Sequence, residues 1–268
     1  MKSKILPIIV IYHCQLPESR AYTSFIKKNG LTDFVVYDNS PAEYCQAPGN
    51  IPSTAYYFHD SNNGGLSKAY NYGAAIAEAN GYDWILLLDQ DTYFPDNAYE
   101  VYRQALKSDK MLAPSVVLEN GAAFSPCRSE WLGMKALRLP LGTYSLYDIC
   151  VINSGCCIPL ALFKKAGGYK ETVKLDFSDY QFQRRLRKVS EQFDLINVEL
   201  VQDFSNDEQD AAKLFLRFCF YLEGALQCDS ETFSEKLKRH LQVLKHTVAL
   251  TVRTKKLQFF KLYVKKYI

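Results

Sequence analysis

The sequence predicts an α/β fold: a mostly parallel sheet with helices on both faces, followed by a helical C-terminal segment. Three observations carry that prediction. Short apolar, β-branched runs alternate with helical patterns through the first half of the chain, polar clusters sit directly after several of those runs, and the chain beyond Asp207 reads as helix throughout.

Strands are expected at 5–11, 34–37, 55–58, 84–88 and 111–118, where continuous apolar runs suit strands covered on both faces. Helices fall between them at 19–29, 66–80 and 97–107, the last entered through Pro95-Asp96 as a cap. Ligands of such sheets bind outside the carboxyl ends of the strands. Tyr12-His13, Asp38-Asn39-Ser40 and Asp89-Gln90-Asp91 all lie at those ends. From 119 to 148 the chain has no clear period and carries Arg128, Trp131 and Arg138; a stretch that long is usually functional or mobile. Patterning resumes with strands at 149–152 and 195–201 and helices at 159–166 and 179–189, then helices at 211–227 and from 234 onward. The expected division is a catalytic domain over 1–206 and a basic, amphipathic helical segment over 207–268.

The 268 residues are 48% hydrophobic and 23% charged, enough for a packed core and against wholesale disorder. A net charge of +3 is too small to indicate a nucleic-acid binder. The eight cysteines form no C-x-x-C pair, so reduced thiols in a cytoplasmic protein are expected. Lys2 and Lys4 precede an apolar run, but Pro7 and the lack of a cleavage site favour a buried strand over a signal peptide. No apolar stretch approaches the ~20 residues of a membrane span.

The strongest chemical signal is Trp84-Ile-Leu-Leu-Leu-Asp89-Gln90-Asp91-Thr92, a buried strand ending in two carboxylates one residue apart. Such a pair can converge on one hard cation, which in turn binds diphosphate oxygens. Upstream, Asn62-Asn63-Gly64-Gly65-Leu66-Ser67-Lys68-Ala69-Tyr70-Asn71 puts two glycines at a helix entrance, where backbone amides favour anions and Lys68 would add a cation. This is neither the dinucleotide fingerprint nor a P-loop.

Together, Val10-Ile11-Tyr12, Tyr37-Asp38-Asn39-Ser40, Asn63 through Asn71, and Leu88-Asp89-Gln90-Asp91-Thr92 resemble family 2 of the glycosyltransferases, in particular its rhamnosyltransferase-like branch. The resemblance covers about residues 5 to 205 and implies a Rossmann-like GT-A fold. It implies an inverting enzyme that moves a sugar from a nucleoside-diphosphate donor to a glycan or lipid-linked acceptor in surface polysaccharide synthesis, with Mn²⁺ or Mg²⁺.

By that resemblance Asp38 contacts the nucleotide base, Tyr12 lines the base and ribose, and Asp89 and Asp91 form the metal motif, Asp91 being the more direct ligand. Asn153-Ser154-Gly155 lies near the transferred sugar. The family's general base stands six residues ahead of an arginine; counting back from Arg185 gives Asp179, with Asp176 one turn earlier as second candidate and as a cap for the helix. Ser178 stands where many relatives carry Glu. A histidine expected after the last strand is absent, leaving Asp203 as an oxygen ligand or Gln202 as a phosphate contact.

From Lys236 onward ten Lys or Arg and no Asp or Glu are interspersed with apolar residues, a pattern expected to meet an anionic membrane surface on the inner face of the cell membrane or to form a homodimer. Because the motifs all precede Phe204, transfer is expected to survive loss of this tail. The alternative readings are a sugar-phosphate nucleotidyltransferase, against which Tyr12-His13-Cys14-Gln15 stands where a basic glycine loop belongs, and a non-catalytic sugar- or nucleotide-binding protein.

Overall fold

A computed structural model of the chain describes residues 4–131, 133–203 and 210–267. Lys2, Phe204 and the expected division at 206/207 lie outside them.

The strands are β1 (Ile5–Ile11), β2 (Val35–Asp38), β3 (Tyr56–His59), β4 (Trp84–Asp89), β5 (Thr92–Tyr93), β6 (Met111–Leu118), β7 (Ala123–Ser125), β8 (Cys127–Glu130), β9 (Gly133–Ala136), β10 (Gly142–Ser145), β11 (Cys157–Pro159) and β12 (Gln192–Gln202). The helices are α1 (Leu66–Ala79), α2 (Ala98–Ala105), α3 (Leu160–Lys165), α4 (Ser178–Leu186), α5 (Ala211–Gln227), α6 (Phe233–Thr254) and α7 (Gln258–Tyr267), with a π-helical turn at Tyr22–Lys27.

The main sheet runs β10-β12-β6-β11-β4-β1-β2-β3. β1, β2, β3 and β4 are mutually parallel, while β11 is antiparallel to both β4 and β6. Alternation along β1 explains the two covered faces. Leu6, Ile8 and Val10 enter one apolar core with α1, α3 and α4, whereas Ile9 and Ile11 enter the other with the π-helical turn and α2.

Two regions differ from expectation. The strand predicted at 149–152 contributes only an isolated bridge between Cys127 and Cys150, and the sheet strand is β11 instead. Its sequence, Cys157-Ile-Pro, is too short to register as a periodic run. The patternless stretch at 119–148 holds β7, the β8–β9 hairpin and β10, short strands that no apolar alternation marks.

The C-terminal helices have a core of their own around Phe218, Leu222, Val243, Leu250, Phe259 and Tyr263. Phe259 and Tyr263 are therefore inward-facing, so these two apolar residues of the basic tail are not free to meet a membrane surface. α6 begins with a capping box in which Thr232 and Glu235 bond each other's backbone. Among the described residues, no helix is long and apolar enough to cross a membrane.

Candidate active site

A cleft of about 1010 Å³ opens where β1, β4 and β12 end. Tyr12, Asp89, Asp91 and Gln202 wall it on the sheet side, the segment from Lys174 to Asp179 crosses it, and α5 covers it with Lys213, Leu216, Arg217 and Phe220. The turn holding the acidic pair is locked to the loop after β1: Gln90 accepts from the Tyr12 amide at 2.7 Å and donates back to the Tyr12 carbonyl at 3.2 Å.

The two aspartates have different surroundings. Asp89 accepts from Tyr70 at 2.9 Å through one oxygen and from Ser154 through the other. Burial raises its carboxyl, and those two hydroxyls oppose the rise. Asp91 is pushed up to about 6, first by burial and then by the charge of Asp89. Gln202 donates to Asp91 at 3.4 Å, while its own carbonyl oxygen Oε1 is buried with no hydrogen-bond partner among the described residues. Such an orphaned acceptor costs about 1–3 kcal/mol, which a ligand can recover. A strained carboxylate beside an unused amide oxygen is a hard donor set that fits Mn²⁺ or Mg²⁺. Among the described residues no group of three His, Cys, Asp or Glu side chains converges on one point. Asp203 stands 3.8 Å from Arg20, its amide bonded to the Asp91 carbonyl.

The opposite wall carries a backbone constraint. Phe177 adopts φ +70°, the left-handed region that non-glycine residues seldom enter, immediately before α4. That turn brings Asp176 and Asp179 to the cleft together. Asp179 is pushed up to about 6 by burial; the Tyr180 amide at 2.7 Å opposes this, and the charges of Asp176 and Asp89 add to it. Asp176 is also raised by burial, with Arg217 at 3.4 Å opposing, and its Oδ2 is buried without a partner among the described residues. It does not cap α4, whose N-cap residue is Phe177 with no side-chain cap bond. A Cβ on Gly224 would lie 2.3 Å from the Asp176 carbonyl, so only glycine lets α5 approach this turn.

The structure divides the remaining predicted site residues. Asn63, Gly65 and Asn153 line the cleft with Tyr12. Gly65, at φ +87°, serves chain packing as well: a Cβ there would meet the Lys174 carbonyl at 2.4 Å, and the Leu66 amide donates to that carbonyl at 2.7 Å. The entrance of α1 is thus partly spent on the chain itself. Lys68, expected at a phosphate, pairs with Asp60 at 2.8 Å, and a Cβ on Gly64 would strike that same carboxylate. Asn71 holds the Tyr169–Glu171 turn through its amide. Asp38 is wholly buried, bonded to Ser40, Gln46 and Tyr57. Ser154 orients Asp89, and Gly155 lets Tyr102, Pro114 and Leu200 close behind the cleft.

Sequence reasoning missed the α5 wall. Its signal was present: Lys213, Leu216, Arg217 and Phe220 are spaced i, i+3, i+4 and i+7, one face of a helix. Nothing local tells that this face meets a cleft whose other walls come from Tyr12, Asp89, Asp91 and the segment from Lys174 to Asp179.

Comparison with known proteins fits this geometry. A structure of GalNAc-T7 with UDP, GalNAc and Mn²⁺ superimposes with TM-score 0.57 at 11% identity, over 93% of this chain and 57% of that one. S. aureus TarS residues 1–349 with UDP gives 0.53 at 13% identity over 96% and 72% of the two chains, and with UDP-GlcNAc 0.51 at 14% over 95% and 76%. The chain therefore spans 57% of the length of GalNAc-T7 in that structure. These likenesses establish the GT-A fold. No curated protein matches the sequence. The family model for glycosyl transferase family 2 matches residues 26–160, half of the chain, from the π-helical turn through β11. A parallel sheet that ends in an acidic turn, facing a second acidic turn across one cleft, thus belongs to a member of glycosyl transferase family 2.

Proposed function

We propose that the protein is an inverting, metal-assisted transferase that moves a sugar from a nucleoside-diphosphate donor to a hydroxyl of a glycan or lipid-linked acceptor in surface polysaccharide synthesis. The observation that carries this reading is Asp179: a carboxylate facing the cleft opposite the acidic turn, with its pKa lifted to about 6. A base of that strength is ionised at neutral pH yet holds a proton well enough to accept one in a transition state.

In this reading Tyr12, Asn63, Gly65 and Asn153 hold the donor, and Asp89, fixed by Tyr70 and Ser154, shapes the floor beneath it. Asp91 with Gln202, and Asp203 nearby, would hold a divalent cation. Bound there, the cation would neutralise charge on the departing diphosphate. Asp179 takes the proton of the acceptor hydroxyl while its oxygen bonds the anomeric carbon. The bond from that carbon to the diphosphate oxygen breaks, and its electron pair leaves with the nucleoside diphosphate. One displacement inverts the anomeric carbon. Asp176 positions the turn through Arg217. The donor complexes of GalNAc-T7 and TarS support a uridine nucleotide as first candidate.

The basic C-terminal helices are proposed to rest on an anionic membrane surface. Val252, Leu257, Phe260 and Val264 are 70%, 65%, 41% and 40% exposed beside exposed Lys255, Lys256 and Lys261. Turnover of a panel of sugar nucleotides by wild type and Asp179→Asn tests the enzymatic reading, with nucleoside-diphosphate binding measured in parallel.

A further inference from the structure

A second cavity of about 710 Å³ shares Asp176, Phe177 and Asp179 with the donor cleft. It opens between the β8–β9 hairpin and α6. Lys238, Gln242, Lys245 and Ala249 present one face of α6 to it, at helical spacing. Gln242 fastens the hairpin by donating to the Glu130 carbonyl at 2.9 Å, and the Lys238 ammonium lies 5.0 Å above the Trp131 ring.

The charges of this cavity are unequally satisfied. Glu235 on its wall is paired with Arg184 at 2.8 Å, and Arg187 is paired with Glu231 at 2.6 Å. Arg239 donates to the Ser230 hydroxyl at 2.6 Å and to the Asp229 carbonyl. Asp176 answers Arg217, and Asp148 is an exposed carboxylate at the rim. Lys245 has an interaction of its own and Asp179 belongs also to the donor cleft, which leaves Arg128 and Lys238. Neither meets a carboxylate among the described residues, and both border a cavity with apolar walls at Met134, Leu146 and Ile149. A guanidinium fork and an ammonium facing one space form a phosphate-binding pair.

We propose that this cavity takes the acceptor, and that the acceptor carries a phosphate group held by Arg128 and Lys238. The inference rests on the transferase reading above: a nucleotide sugar occupies the first cleft, so the attacking hydroxyl reaches Asp179 from the space that shares it. A phosphate anchored at the hairpin sets the distance from anchor to hydroxyl, and thereby which hydroxyl is glycosylated. The hairpin side favours an amphiphile, since Met134 of the wall and Trp131, against which Lys238 rests, are 50% and 52% exposed.

Calorimetric titration of the full chain, with the first cleft filled by excess UDP, tests this. Glycerol 3-phosphate should bind saturably and glycerol should not. Arg128→Gln and the double variant Arg128→Gln/Lys238→Gln should each weaken glycerol 3-phosphate by roughly tenfold or more, the loss of one charged hydrogen bond. UDP affinity should stay unchanged in both, which also reports that they fold. Hexyl phosphate separates the two sources of the group: tighter binding than glycerol 3-phosphate assigns a lipid-borne phosphate, and equal binding assigns a soluble or polymeric one. Phosphate binding that the variants leave intact, that UDP displaces, or that glycerol matches would overturn the proposal. If UDP fails to bind the wild type while phosphate binding still depends on Arg128, the donor reading fails and the phosphate site stands.

Discussion

Arg184 of α4 donates to Glu235 of α6 at 2.8 Å, which ties the helix that carries Asp179 to the C-terminal helices. Arg184 is only 3% exposed, and Arg187 reaches the same acidic cluster through Glu231. Gln181 adds a two-way bond with Asp229, at 2.7 and 2.8 Å. Removal of the tail after Lys236 would leave Glu235, Glu231 and Asp229 in place but take away most of α6, which walls a cavity that meets Asp179, so such a truncation is expected to disturb that cavity rather than this clamp. Glu235→Gln keeps the capping box of α6 and removes the nearer charge opposite Arg184, leaving Glu231 at 3.6 Å, so it should destabilise the protein by about 1–3 kcal/mol, the range for a lost charged hydrogen bond. Urea denaturation of the variant measures this; a loss below the scatter of repeat measurements would show that the clamp is not structural.

Asp91 illustrates the opposite trade. Its folded carboxyl is raised to about 6 from an ordinary 3.8, so the folded state binds the proton more tightly than the unfolded chain. That contribution is fully present below pH ~4 and is lost as pH rises through ~6. Asp91→Asn should be more stable than wild type above pH 6, by about 3 kcal/mol, with the advantage gone near pH 4. The same variant should lose the extra thermal stabilisation that Mn²⁺ with UDP gives the wild type. Denaturation at two pH values and a melting series with the metal check both halves.

Protonation of Asp179 should silence the base. The acid limb of kcat/KM is expected near pH 6, falling tenfold per unit below it, because the ionised form is the one that accepts the proton. Asp91 titrates in the same range, so the limb steepens if both must be ionised. A profile flat down to pH 5 would remove Asp179 from that role.

How far these residues could be read in advance depended on range. β1, β4 and β6 were legible because continuous apolar runs end in polar clusters, and Asp89-Gln90-Asp91 was legible because its chemistry is local. The duties of Asp38 and Lys68 were not, since Gln46, Tyr57 and Asp60 are set beside them by the fold and not by spacing. Phe177 gave no warning of its left-handed backbone, in a turn against which Gly224 of α5 packs from more than forty residues away. The β8–β9 hairpin was illegible because its strands are short and bury few apolar side chains.

Membrane docking has a salt signature. Attraction of Lys255, Lys256 and Lys261 to anionic lipid is screened over a Debye length of ~8 Å at physiological salt. Co-sedimentation with anionic vesicles should fall as salt rises, and Leu257→Ser/Phe260→Ser should weaken it without altering the mass in solution. Unchanged vesicle binding with altered mass would instead assign that face to a homodimer.

The most direct test of the central claim is single-turnover transfer from the donor identified in the sugar-nucleotide panel, comparing wild type with Asp179→Asn. The account predicts a loss of about 10²–10⁴-fold in the chemical step, as for removal of a general base, with nucleoside-diphosphate affinity unchanged. Near wild-type turnover by Asp179→Asn, or loss confined to Asp176→Asn, would contradict it.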